Sequence, residues 1–135
     1  MRIVLDTNVL LVSIGSASPY RPIFNAILSG KIKLLITTDI YFEYEEKIEE
    51  KTNGTIAKNI LKLLLELEAT ELITVHYKWN LITTDIDDNK FTDCAIAANA
   101  DYIVTEDSDF NLVKELDFPS VKIIGAKHLL QLLNQ

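Results

Sequence analysis

With a single cysteine, Cys94, the chain cannot form an internal disulfide, and an isolated thiol is most often a small buried hydrophobe. Three prolines and four glycines in 135 residues exclude a collagenous or low-complexity chain. No unbroken apolar run approaches the roughly 20 residues needed to span a bilayer, so no membrane association is expected. The N-terminus passes from Met1-Arg2 through Ile3-Val4-Leu5 to Asp6 without the apolar core and cleavage site of a secretory signal, so a cytoplasmic location is expected. Basic residues are few, 13 against 20 acidic ones, for a net charge of -7. That balance argues against sequence-blind adsorption to nucleic acid, which needs clustered Lys and Arg. An acidic total also arises where carboxylates are gathered to hold cations, which restore attraction for phosphate locally. A hydrophobic fraction of 48% in a chain of this length suits one compact domain over residues 1–135.

Short β-rich runs at Arg2 to Leu5, Lys33 to Thr37, Leu72 to His76, Tyr102 to Thr105 and Val121 to Ile124 alternate with helical patterns. The helices are expected at Pro19 to Leu28, Thr38 to Lys51, Ile56 to Glu68, Asn89 to Asn99, Phe110 to Leu116 and Ala126 to Leu133. Helices linking parallel strands cover both sheet faces, so the predicted fold is a three-layer α/β/α sandwich around a parallel sheet of about five strands. In the helix at Thr38, Ile40, Tyr44 and Ile48 form an apolar stripe flanked by Glu43. In the helix at Asn89, Asp93 shares a face with Ala97 and Ala100, small enough for close packing.

Open α/β sheets bind ligands outside the C-terminal ends of their strands. At that edge lie Asp6-Thr7-Asn8 after the first strand, Glu43 on the helix after the second, and Asp107 and Asp109 after the fourth, while the helix bearing Asp93 leads into that strand. Two ionised carboxylates within about 4 Å repel by roughly 4 kcal/mol at an effective dielectric near 20, so such a gathering needs a cation or bound protons. All the donors are oxygens, which suits Mg²⁺ or Mn²⁺ better than structural zinc. Such ions activate water and neutralise a phosphodiester, which makes phosphodiester hydrolysis the leading reaction. Singly, each acid has a plainer explanation. Asp6-Thr7-Asn8 suits a helix cap, Glu43 sits among surface glutamates, and Asp107-Ser108-Asp109 suits another cap.

The segments IVLDTNVLL, DIYFEYEEKI, DDNKFTDCAIAANADYIVTEDSDF and VKIIGAKHLL together resemble PIN domains, and in particular the small toxins of the VapC type. The resemblance runs over nearly the whole chain and implies a metal-dependent endoribonuclease acting on RNA with Mg²⁺ or Mn²⁺. It places the four family acids on Asp6, Glu43, Asp93 and Asp107, with Asn8, Asp88, Thr105 and Asp109 in support. The choice of Glu43 over Glu45 or Glu46 rests on motif register. Glu106 departs from the small or basic residue common in similar sequences and adds negative charge beside the site. The resemblance also implies a cognate antitoxin and a homodimer, for which surplus apolar residues between Thr38 and Glu68 offer a surface.

Two other functions compete: an aspartate-dependent phosphatase, disfavoured because Asn8 stands where such enzymes place a second aspartate, and a catalytically silent interaction module on the same fold. Within the fourth-strand loop, Asp107 is expected to reach toward Asp6 and Asp93, and Asp109 to cap the helix that follows.

Overall fold

A computed structural model describes residues 1–135. Five parallel strands, β1 (Arg2–Leu5), β2 (Lys33–Ile36), β3 (Glu71–Leu72), β4 (Tyr102–Val104) and β5 (Ile123–Ile124), form one sheet in the order β3-β2-β1-β4-β5. Between and after them run α1 (Thr7–Ile14), α2 (Arg21–Leu28), α3 (Thr38–Lys51), α4 (Gly54–Glu66), α5 (Asn89–Ala98), α6 (Asn111–Lys114) and α7 (Ala126–Leu133). Ile3, Val4 and Leu5 are fully buried in sequence, as are Leu34, Leu35 and Ile36. Successive strand residues point to opposite faces, so runs of this kind require cover on both sides, and the expected α/β sandwich results. Each such side chain contributes roughly 2 kcal/mol of burial. No helix is long and apolar enough to cross a membrane.

The chain builds outward from β1 through β2 to β3, then crosses back to lay β4 on the other side of β1. The crevice between β1 and β4, where the order reverses, is the place such sheets bind ligands. Asp6 follows β1 and Thr105 follows β4, and the Asp6 N–H donates to the Val104 carbonyl at 3.0 Å, so the two strand ends are held together there. The second strand leads into α3, whose cap Thr37 accepts a hydrogen bond from the Ile40 N–H at 3.2 Å. Tyr44, fully buried, donates from its hydroxyl to the Leu5 carbonyl at 2.6 Å. That bond fixes the first turns of α3 against the end of β1 and brings the neighbouring Glu43 to the crevice. Helix α5 ends at Asn99, whose left-handed φ of 52° is a conformation asparagine tolerates well.

Several boundaries differ from the pattern-based expectation. Thr7–Ile14 is helical although Val9, Val12 and Ile14 are poor helix formers; burial of Val9, Leu10 and Ser13 outweighs local propensity. Helix α2 begins at Arg21 instead of Pro19, with Pro22 in its first turn, where a missing N–H costs nothing. Strand β3 stops at Leu72 instead of His76. Its sole neighbour, β2, ends at Ile36, and after Ile73 donates to the Ile36 carbonyl at 2.8 Å no ladder remains to extend. Residues 74–85 instead form a strap without regular structure that leads to α5. It is tied down by side chains: Asn89 exchanges two hydrogen bonds of 2.8 Å with the backbone of Ile82. In the α3–α4 hairpin Leu61 and Leu64 are buried, whereas Phe42, Leu63 and Leu65 remain exposed.

Candidate active site

Asp6 is the residue before α1, yet its side chain makes no capping bond. Its Oδ2 accepts instead from the Thr105 hydroxyl at 2.7 Å, and Thr105 Oγ1 in turn accepts from the Asp107 N–H at 3.0 Å. Both Asp6 and Thr105 are buried. Burial pushes the Asp6 carboxyl above its ordinary value; the Thr105 bond opposes this, and the like charges of Asp107 and Glu43 add to it. Capping therefore does not account for Asp6.

Glu43 is half-buried between two partners. Thr7 donates its hydroxyl to one oxygen, and Lys90 pairs with the other at 2.7 Å. Glu45 makes no side-chain contact of this kind, and Glu46 lines the same cavity as Glu43 without either of these partners. The cap expected from Asp109 is instead made by Asp107. A 3₁₀ turn at Ser108–Phe110 precedes α6, so the capping position falls two residues earlier, and Asp107 Oδ1 accepts from the Asp109 N–H at 2.9 Å. The Asp109 carboxylate is thereby left to face Asp85 and Asp88, and one oxygen from each of these three lies within 4.8 Å of the others.

Asp88 has the most perturbed carboxylate of the group. It sits in the 3₁₀ turn Ile86–Asp88 just before α5, and its Oδ2 is buried without a hydrogen-bond partner. Burial, with repulsion from Asp85, Asp107, Asp6 and Asp109, pushes its carboxyl up to about 7. Asp6, Asp85, Asp88, Asp107 and Asp109 thus form one electrostatic group, joined to Glu43 through Asp6.

Asp93 stands apart from that group. It is buried, and its Oδ1 accepts from the Trp79 N–H of the strap at 3.0 Å. Burial raises its carboxyl, an effect opposed by that bond and by Lys78. The small-residue face expected around it does not form: Ala97 is exposed and Ala100 lies beyond the end of α5, and Asp93 is met by the strap through Trp79. Asp93 shares with Glu43 a cavity of about 540 Å³, whose wall also carries Asp39, Glu46 and Asp87 together with Lys47, Lys78 and Lys90. Asn8 is exposed on the first turn of α1 and makes no side-chain hydrogen bond.

Glu106 does not load the site with a further free charge. Its Oε1 accepts from the Ala126 N–H at 2.6 Å, at the positive end of α7. Gly125 leaves the room, since a Cβ there would stand 3.1 Å from that oxygen. Cys94 is buried within α5, where burial pushes its thiol up to about 12 and keeps it unreactive. Thr7, Asp85 and Lys90 belong to the site although their sequence context did not mark them. The only available signal was spacing, Lys90 standing one helical turn before Asp93 and Asp85 three residues before Asp88.

The donor set fits a hard divalent cation. It is made of oxygens only, it contains a buried carboxylate oxygen without a partner, and its carboxyls are raised by burial first and then by mutual repulsion, which a cation relieves. Among solved structures, the chain resembles one chain of VapBC2 from Rickettsia felis, determined bound to a DNA fragment from its promoter. The TM-score is 0.63 at 19% identity, over 93% of this chain and 98% of that one, a likeness of fold. Comparison with curated proteins gives no significant match. Residues 2–109, most of the chain and all of the acids described, match the family model of the PIN domain, and the chain belongs to that family.

Proposed function

We propose that this protein is a divalent-cation-dependent endoribonuclease that hydrolyses RNA phosphodiester bonds as the toxin of a toxin-antitoxin pair. The observation that carries this reading is Asp88 Oδ2, buried and unpartnered at the centre of a carboxylate group that repels itself. Membership of the PIN family supports the nuclease class. Asp6, Glu43, Asp93 and Asp107 are the acids we assign to catalysis and to Mg²⁺ or Mn²⁺, with Asp88 and Asp109 beside them and Thr105 and Asn8 in support. Bound there, such an ion supplies charge neutralisation and an acidified water for hydrolysis.

The chain's own residues orient this group and attract the substrate. Thr105 fixes the Asp6 carboxylate, and Thr7 with Lys90 fixes that of Glu43. Lys47, Lys78 and Lys90 offset part of the negative charge of the adjoining cavity, whose wall carries five carboxylates, and offer cationic contacts to a phosphodiester backbone. The similarity to VapBC2 supports a cognate antitoxin as partner, and a homodimer is part of the same reading. A second cavity of about 410 Å³, lined by Tyr41, Phe42, Leu65, Leu72 and Ile73, adjoins the acid cavity through Phe42 and is apolar enough to receive a partner segment.

The test is to incubate a pool of cellular RNAs with purified wild type and with Asp6→Asn, with and without added Mn²⁺ or Mg²⁺. Cleavage by the wild type alone, and only with the ion, supports the reading. Equal products from both proteins, or none from either under every condition, contradicts it, the latter being the behaviour of a silent interaction module.

A further inference from the structure

The strap that covers Asp93 carries aromatic residues that the core does not absorb. Trp79 stands between Tyr77 and Phe118, with ring centroids 4.8 and 5.8 Å away and interplanar angles of 71° and 80°. Both flanking side chains are large and open to solvent, Tyr77 65% and Phe118 79% exposed, the latter the most exposed large hydrophobic in the chain. Rings at such angles to the indole share at most one face per pair, so π surface stays free. Burial of these rings is not what holds them in place. The backbone of the strap holds Tyr77 and Trp79, through the Trp79 N–H on Asp93 and the paired bonds between Ile82 and Asn89, and Phe118 meets them through its edge contact with Trp79. Asn80, at a φ of 52°, turns the chain directly after Trp79.

The strap itself adds no carboxylate to this patch, whose nearest acids are Asp93, on the Trp79 N–H, and Asp117, next to Phe118. The chain has 20 acidic residues, yet none falls between Leu72 and Thr84, the stretch that carries His76, Tyr77, Lys78 and Trp79. Lys78 lies between the two strap aromatics and lines the cavity shared with Glu43 and Asp93. Basic and aromatic residues interleaved in this way track a single-stranded backbone while the rings stack on its bases.

We propose that Tyr77, Trp79 and Phe118 form a stacking platform for an unpaired base of single-stranded RNA, with Lys78 on the adjoining phosphate. The strand then runs from the platform across Asp93 toward the acid group. This rests on the ribonuclease reading for its substrate class, but binding can be measured without cleavage. The platform makes the protein a reader of unpaired segments and places a base contact beside the site, where it sets which nucleotide flanks the cut.

Trp79 is the only tryptophan, so emission excited selectively in tryptophan, and not in the five tyrosines, reports on this platform. The probe is a 2′-O-methyl oligoadenylate of about eight nucleotides, within the usual footprint of a single-strand site, titrated in excess chelator. The wild type is expected to bind it with quenching of Trp79. Phe118→Leu and Tyr77→Leu, which keep apolar volume but remove the π face, are each expected to weaken binding about tenfold. Phe118→Tyr is expected to restore it, and the same probe in duplex form is expected to leave Trp79 unquenched. The proposal is overturned by absence of binding, by binding without change in Trp79 emission, or by Leu variants that bind like the wild type. The last two are expected if these rings face a protein. Cleavage of unmodified RNA with Mn²⁺, measured in parallel on the wild type, separates the two readings. Cleavage without stacking defeats only the platform, and stacking without cleavage defeats only the nuclease.

Discussion

The Thr105 hydroxyl donates to Asp6 Oδ2 at 2.7 Å across the crevice between β4 and β1, and Thr105 Oγ1 itself accepts from the Asp107 N–H at 3.0 Å. One side chain therefore aligns acids that are about a hundred residues apart in sequence. Thr105→Val keeps shape and burial while removing both bonds. It is expected to lower divalent affinity or turnover by about 10–100-fold, the usual effect of losing a partner that orients a ligand. The stability loss should be about 1–3 kcal/mol, the cost of leaving buried partners unsatisfied. Turnover at varied Mg²⁺ and a melting curve check both.

Lys90 neutralises part of the acid group while offering charge to a phosphate. Lys90→Ala leaves the Glu43 carboxylate on Thr7 alone and makes the site more negative. Divalent cations should then bind more tightly while KM for RNA rises. Calorimetric titration with Mn²⁺ and steady-state kinetics test the two opposite shifts, and a parallel weakening of both would assign Lys90 a purely structural role.

Asp107 and Asp109 are expected to separate by their bonds. Asp107→Ala removes the acceptor for the Asp109 N–H and should cost about 1 kcal/mol of stability, besides any loss of activity. Asp109→Asn keeps the turn but withdraws a charge from the group with Asp85 and Asp88, so it should weaken divalent binding at least about tenfold with no loss of metal-free stability. Melting curves and metal titrations of the two variants distinguish these outcomes.

Folding raises the carboxyls of Asp6, Asp88 and Asp93, that of Asp88 to about 7. A raised folded value means that the folded state binds more protons than the unfolded one. The stability this lends is complete below the unfolded value of about 4 and is lost as pH rises through the folded value. Metal-free protein is therefore expected to melt at lower temperature at about pH 8 than at about pH 5, and saturating Mg²⁺ should remove most of the difference.

Which parts of this were legible beforehand follows from where the information resides. The strands Arg2–Leu5 and Tyr102–Val104 were readable because unbroken apolar runs mark a parallel sheet covered on both faces. With them came the sheet edge where Asp6, Glu43 and Asp107 lie. The length of β3 was not readable, since it depends on where its neighbour β2 ends. The Asp107 cap was misplaced because a 3₁₀ turn before α6 leaves no periodic signature. The ties of Thr7 and Lys90 to Glu43, and of Trp79 to Asp93, join residues 14 to 47 positions apart by tertiary placement alone. No local pattern encodes them.

The central claim, a carboxylate group built to take a divalent cation and cleave RNA with it, is tested most directly by adding Mn²⁺ back to chelated protein. Melting temperature and RNA cleavage are followed in the same sample, for wild type and Asp88→Asn. The account predicts that both rise together in the wild type with one Mn²⁺ dependence, and that Asp88→Asn shifts that dependence to higher Mn²⁺ while melting no lower without metal. A wild type that cleaves RNA equally well in excess chelator, or gains neither stability nor activity on Mn²⁺ addition, would contradict it.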